Sequence, residues 1–206
     1  GGELARRLAS EKSLWAVPTK FGFIVDGGGV LGLADQRADV RLKAVGIGPG
    51  AAVAIGLETG NGVEWLGSTS PGAAADAAIE TGLAFIGVAS REKRQRMRDF
   101  SDEALASIRS ALGPRLDALR ENPRNADAPL IKRAGLIELG AGRLAGGIAA
   151  PFGRVEADQF RMLADAMAAQ GVNEIRLSPW RALYAEVPSE QSGQSILVAT
   201  ASFGLI

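Results

Sequence analysis

At 206 residues, with 47% hydrophobic content and 27 glycines, the chain is long enough for one large or two small globular units with a real core, which excludes a disordered polypeptide. Lys+Arg and Asp+Glu are both 23, so no net field would hold DNA, RNA or an anionic membrane, and anion recognition falls to locally clustered cations. The sequence has no cysteine and no histidine, which removes disulfides, thiolate or imidazole metal ligands, Ser/His and Cys nucleophile systems, and haem or iron–sulfur ligation by those residues.

In chain order, ELARRLASEK (3–12) reads as a short helical tail, and Pro18 forces an extended lead into the strand KFGFIVDGG. ADVRLKAVGIG (38–48) alternates as a second strand, with Val40, Leu42 and Ala44 on one face and Arg41 and Lys43 on the other, outward face. AAVAIGLETG and GVEWLGSTS form a hairpin that turns at Gly60-Asn61-Gly62. From Pro71 the character changes: the alanine-rich PGAAADAAIETGLAFIGVAS has helical apolar spacing. A second helix, SDEALASIRSALG, starts at Ser101 with Asp102 and Glu103 in its first turn and stops at Gly113. The basic run between them, REKRQRMRDF, reads as a solvated helix face or linker.

After the loop RENPRNADAPL comes a compact unit. AGRLAGGIAAPFGRV is a strand and bend, EADQFRMLADAMAAQG an amphipathic helix stopped by Gly171, and NEIRLSPWRALYAEVP a strand broken at Pro179. Phe160, Leu163, Ala164 and Met167 form the apolar stripe of that helix. This βαβ unit is half of a ferredoxin-like sandwich, and its sheet has an edge that needs a partner. The final SGQSILVATASFGLI opens a further segment. The first residues lack a signal-peptide core and read as the end of a helix, so both ends read as internal to a longer protein. The sequence offers no charge-free apolar stretch of about 18 residues to span a bilayer, and the lack of disulfides fits a cytoplasmic protein.

GGIAAPFGRVEADQFRMLADAMAAQGVNEIRLSPWRALYAEV resembles the half-domain repeat of the nitrite and sulfite reductase family, whose mark is a strand reading R-[LI]-[ST]-x-x-[RQ]-x-[LF]. Here that strand is Arg176-Leu177-Ser178-Pro179-Trp180-Arg181-Ala182-Leu183. VPTKFGFIVDGGG is similar to the family's other signature, a proline, a lysine and a phenylalanine opening the first strand of the sirohaem-binding domain. Together the two matches account for about residues 13–188.

The resemblance implies an α+β fold: a sirohaem-type nitrite/sulfite reductase α/β domain followed by a ferredoxin-like βαβ half-domain. The expected division is 1–12 as the end of a preceding helix, 13–140 as the reductase-like domain, 141–188 as the half-domain and 189–206 as the start of the next segment. Within the family, KFGFIVDGGG, ADVRL and SPWRALY look most like the precorrin-3B synthase branch, an oxygen-dependent monooxygenase type of cobalamin biosynthesis that hydroxylates precorrin-3A and closes a lactone. Sulfite reductases carry a second lysine two residues after the first, where this chain has Gly22, and losing that ammonium weakens a pocket for a small dianion. A sirohaem-dependent nitrite or sulfite reductase and a non-enzymatic tetrapyrrole-binding or assembly module are the alternatives.

The resemblance further implies a [4Fe–4S] cluster in the complete enzyme, with its cysteines outside this chain, and sirohaem or a non-haem iron as a further group. No cofactor is expected in the fragment alone, which should be inactive by itself. The implied partners are a polycarboxylate tetrapyrrole, the missing half-domain and cluster domain of the same protein, and an electron donor that the sequence does not identify. Carboxylates are gripped by guanidinium forks and lysines, so Lys20, Arg41, Arg176 and Arg181 are the tetrapyrrole-binding candidates. Lys20 and Arg176 come from the family motifs, and Arg41 from its outward phase on a neighbouring strand. Trp180 reads as a core or interface anchor rather than a stacking platform. DGGGVLG carries the G-x-G-x-x-G spacing at Gly27, Gly29 and Gly32, but no helix follows, so the glycines read as a turn and not as a nucleotide fingerprint. Asp26, one acid without histidine partners, is a weak metal signal.

Overall fold

The computed structural model describes residues 1–46, 48–119, 121–123 and 134–206. Most of the loop RENPRNADAPL lies outside the described residues. The chain divides into two units, Gly1–Ala128 and Pro129–Ile206.

The first unit is a four-stranded sheet, β1 (Phe23–Asp26), β2 (Val40–Val45), β3 (Ala52–Thr59) and β4 (Gly62–Thr69), in that spatial order. β1 and β2 are parallel; the other two pairings are antiparallel. The β3–β4 turn falls at Gly60-Asn61 as the sequence predicts, with the Thr59 hydroxyl donating to the Gly62 carbonyl at 2.8 Å. Helices α1 (Gly2–Ser10), α2 (Ala74–Glu92) and α3 (Asp102–Leu112) complete the unit. Val40, Leu42, Ile55 and Leu57 on one face of the sheet pack with Phe85, Ile108 and Leu112 of the helices. The alanines of α2 make that contact close, with Ala77, Ala78 and Thr81 buried, and the Thr81 hydroxyl donates to the Ala77 carbonyl at 2.7 Å. Ser101 caps α3, accepting the Ala104 N–H at 3.2 Å, so the predicted start is the observed one.

The second unit is a fully antiparallel sheet of β5 (Gly135–Gly140), β6 (Arg143–Ala149), β7 (Arg176–Leu177) and β8 (Ala182–Val187), in the order β5-β6-β8-β7. Helix α4 (Ala157–Ala168) joins β6 to β7 and α5 (Glu190–Ser202) follows β8. β6 and β7 run parallel with β8 inserted between them, so the expected βαβ unit is a split one. Pro179 does not merely interrupt a strand: the chain reverses there, and Ser178 N–H donates to the Ala182 carbonyl at 3.1 Å. Leu163 and Met167 of α4 are buried with Ile148, Leu183, Ile196 and Leu205, while Phe160 at the edge of the stripe is 44% exposed.

Two boundaries differ from the sequence reading. Gly135–Gly140, expected in the first domain, is hydrogen-bonded to β6, because the hairpin at 141–142 supplies the edge strand that a lone βαβ would lack. Residues 189–206, expected to open another segment, fold back onto the second unit as α5. Gly193 allows that packing, since a Cβ there would lie 2.4 Å from Leu136 Cδ2. Gln159 ties the start of α4 to the end of α5 through the Phe203 carbonyl at 2.8 Å, and Ile206 N–H donates to the Ala149 carbonyl at 3.0 Å. Among the described residues no helix is long and apolar enough to cross a membrane.

Candidate functional site

In the first unit the four-residue turn Pro18–Phe21 precedes β1, closed by Phe21 N–H donating to the Pro18 carbonyl at 2.8 Å. Lys20 stands exposed on this turn, with no ion-pair partner among the described residues. Its neighbours are fixed. The Phe21 ring packs against Phe23 and Phe85 at centroid distances of 5.3 and 4.3 Å, and Gly22 is bonded to Asp39 in both directions. Asp39, 1% exposed, accepts the Gly22 N–H at 3.0 Å through one carboxylate oxygen; the other accepts Arg96 Nε at 3.0 Å and the Met97 N–H at 2.9 Å. The basic run is therefore not simply a solvated linker: Arg96 and Met97 are its anchors, while Arg91, Lys93 and Arg94 are exposed.

Arg41 differs from expectation. It lies on the face of β2 opposite the helical core, as the alternation predicts, yet it is only 6% exposed. The long connection from β1 to β2 folds over that face, and Arg41 donates to the carbonyls of Leu33 and Gln36 within it. Its Nε reaches Glu58 at 3.4 Å, a pair with side chains 8% and 12% exposed. Asp26 anchors the same connection by accepting the N–H groups of Gly28 (2.9 Å) and Leu33 (3.2 Å), and Lys43 lies 3.9 Å from it. Between Asp26, Arg41, Lys43 and Trp65 remains a cavity of about 10 Å³, room for one water and not for a ligand. Gly28, at φ +74°, supplies the backbone conformation that the turn requires. These groups form a clamp on a loop rather than a binding pocket.

In the second unit Arg176 and Arg181 lie on β7 and on the turn between β7 and β8. Arg176 is exposed and donates to Glu174 at 3.0 Å. Arg181 is exposed and has φ +60°, and its peptide oxygen accepts the Ala150 N–H at 3.1 Å. Its side chain lies across the Ala150–Gly153 turn: a Cβ on Gly153 would come within 3.0 Å of Arg181 Cδ. That turn presents Phe152, 91% exposed, which the sequence reading overlooked. The Pro-x-Gly turn pattern was the available signal, but it carries no information on exposure. Trp180 is half-buried, with its ring edge-on to Tyr184 at 6.4 Å, in keeping with an anchor.

No described residues form a group of three or more acids able to hold a metal ion, and the chain has no cysteine or histidine, so its residues do not fit a [4Fe–4S] cluster. Exposed lysine and arginine donors do fit the carboxylates of a tetrapyrrole. The sheets and helices together define an α+β protein of the nitrite/sulfite reductase fold. Among solved structures, the Mycobacterium tuberculosis NirA protein matches this chain with a TM-score of 0.64 and 19% sequence identity, over 84% of this chain and 34% of the NirA chain. At that identity the likeness is one of fold, and the chain spans about a third of its neighbour's length. No protein-family model and no curated protein sequence matches it.

Proposed function

We propose that this chain is part of an oxidoreductase built on the nitrite/sulfite reductase fold and that it contributes cations to the binding of a polycarboxylate tetrapyrrole. Lys20 carries the reading: it is an exposed ammonium on a turn whose neighbours are locked by Asp39 and by the Phe21–Phe85 contact, so the backbone that carries it is ordered before binding and only the lysine stem remains to be fixed. In the second unit, taken by itself, Arg176 and Arg181 are exposed guanidinium donors of the kind that grips a carboxylate with two parallel bonds. The finer reading is a precorrin-3B synthase, an oxygen-dependent hydroxylase of precorrin-3A. Gly22 supports it. A Cβ at Gly22 would meet nothing within 4 Å, so neither crowding nor a positive φ demands glycine there, which is in keeping with a ligand that does not call for the second ammonium. The likeness to NirA supports the second reading, a sirohaem-dependent nitrite or sulfite reductase.

Two results are expected. Gly22→Lys leaves thermal stability within about 1 kcal/mol of the parent, because the position is open and glycine gives up backbone entropy on folding; a larger loss on thermal melting would show that the fold itself requires glycine. In the full-length protein, Lys20→Ala and Arg176→Ala each weaken binding of a porphyrin octacarboxylate, followed by absorbance titration, by about 1–3 kcal/mol. Unchanged affinities would leave the assembly-module reading in place. Turnover of precorrin-3A with dioxygen consumption separates the synthase from the reductase, which would instead hold stoichiometric sirohaem and consume sulfite or nitrite.

A further inference from the structure

The turn Ala150–Gly153 is closed by Gly153 N–H donating to the Ala150 carbonyl at 2.9 Å, with Pro151 second and Phe152 third. Phe152 has φ +57° and ψ 12°, the third-position conformation of a type II turn, where glycine or asparagine is usual because a Cβ is crowded. A phenylalanine pays for such a backbone when its ring is buried. This ring is 91% exposed, so nothing in the unit's own packing repays the strain. The adjoining turn holds a second non-glycine residue at positive φ, Arg181 at +60°, and its aliphatic stem crosses Gly153 directly beside the ring-bearing position. Register brings both to one end of the sheet, since Ala149 pairs with Ala182. Two turns with a positive φ at a non-glycine residue thus carry an exposed apolar ring and an exposed arginine at one end of the sheet.

We infer that Phe152 is a ligand-stacking residue: its ring lies against the conjugated face of the tetrapyrrole while Arg181 engages a peripheral carboxylate. A macrocycle with an extended π-face and a rim of carboxylates is the ligand class that takes both groups at once. The inference rests on the tetrapyrrole reading above and adds to it a residue outside both the Arg176–Leu183 strand signature and the stretch 17–29. The fold does not need the ring, and this separates a binding role from a structural one.

The experiment compares Phe152→Asn, Phe152→Tyr, Arg181→Ala and Lys20→Ala in the full-length protein, reading porphyrin octacarboxylate affinity by absorbance titration, Tm by calorimetry and mass by light scattering. Phe152→Asn should weaken binding roughly three- to tenfold, the scale of one aromatic contact, and Phe152→Tyr should restore it. Asparagine tolerates the left-handed conformation, so Tm should stay level or rise. Parent-like affinity in Phe152→Asn, with Arg181→Ala or Lys20→Ala weakened, overturns the stacking role and leaves the tetrapyrrole reading standing. Parent-like affinity in all three truncating variants overturns the tetrapyrrole reading as well. A marked fall in Tm for Phe152→Asn assigns the ring to packing, and a change in mass with affinity intact assigns it to a contact between copies; either result overturns the inference.

Discussion

Asp39→Ala is expected to destabilise the first unit by about 3–5 kcal/mol, the loss typical of removing one member of a buried charge pair. The carboxylate is 1% exposed and accepts three donors: Gly22 N–H, Arg96 Nε and Met97 N–H. Alanine leaves all three without an acceptor in a place that water reaches poorly, and the uncompensated Arg96 charge remains half-buried beside them. Asp39→Asn should fall between parent and alanine, since one amide oxygen still accepts while the NH₂ group faces donors. Urea unfolding followed by far-UV circular dichroism measures the change; a shift worth under about 1 kcal/mol would mean that this carboxylate does not anchor the turn. The same node holds the backbone two residues beyond Lys20, so under the proposed function tetrapyrrole affinity should fall along with stability.

Arg41→Met is expected to cost a similar 3–5 kcal/mol, for a different reason. Methionine keeps much of the apolar stem but leaves Glu58, 12% exposed, without its cation and frees the carbonyls of Leu33 and Gln36. Arg41→Lys should rescue little, because one ammonium cannot reproduce a planar fork shared between a carboxylate and two separate carbonyls. Adding Glu58→Leu to Arg41→Met should recover part of the loss, since an unpaired buried charge is worse than no charge. Chemical denaturation of the four proteins of this cycle tests the point. Strict additivity of the two single changes would break the link between Arg41 and Glu58 and leave the carbonyls of Leu33 and Gln36 as the partners that hold Arg41.

The contrast between Arg41 and Lys20 shows where sequence reading stops. Both are cations beside apolar strand residues, and alternation correctly put Arg41 on the face away from Val40 and Leu42. It did not follow that the face meets solvent, because the connection between β1 and β2 covers it, pinned by Asp26 at one end and Arg41 at the other, and Arg41 also reaches Glu58 seventeen residues away on β3. Asp39 was equally silent. Its partners Arg96 and Met97 come from a run that reads as solvated charge, and only their position against the end of β2 makes them anchors. Phe152 shows the reverse case, an aromatic residue that composition would put inside and the turn holds outside.

What the sequence determined by itself is local. The cap at Ser101, the stop of α4 before Gly171, the turn at Gly60-Asn61 and the period of each strand depend on interactions within a few residues, and these are written in the order of side chains. The absence of cysteine and histidine likewise rules out a cluster held by this chain, whatever its fold. Tertiary structure alone decided which face of the first sheet is covered, that 135–140 and 190–202 join the second unit, and which of the four candidate cations remain exposed. Burial and charge pairing join residues that are distant in the chain, and the free energy of a charged group is set by those neighbours rather than by its own place in a strand.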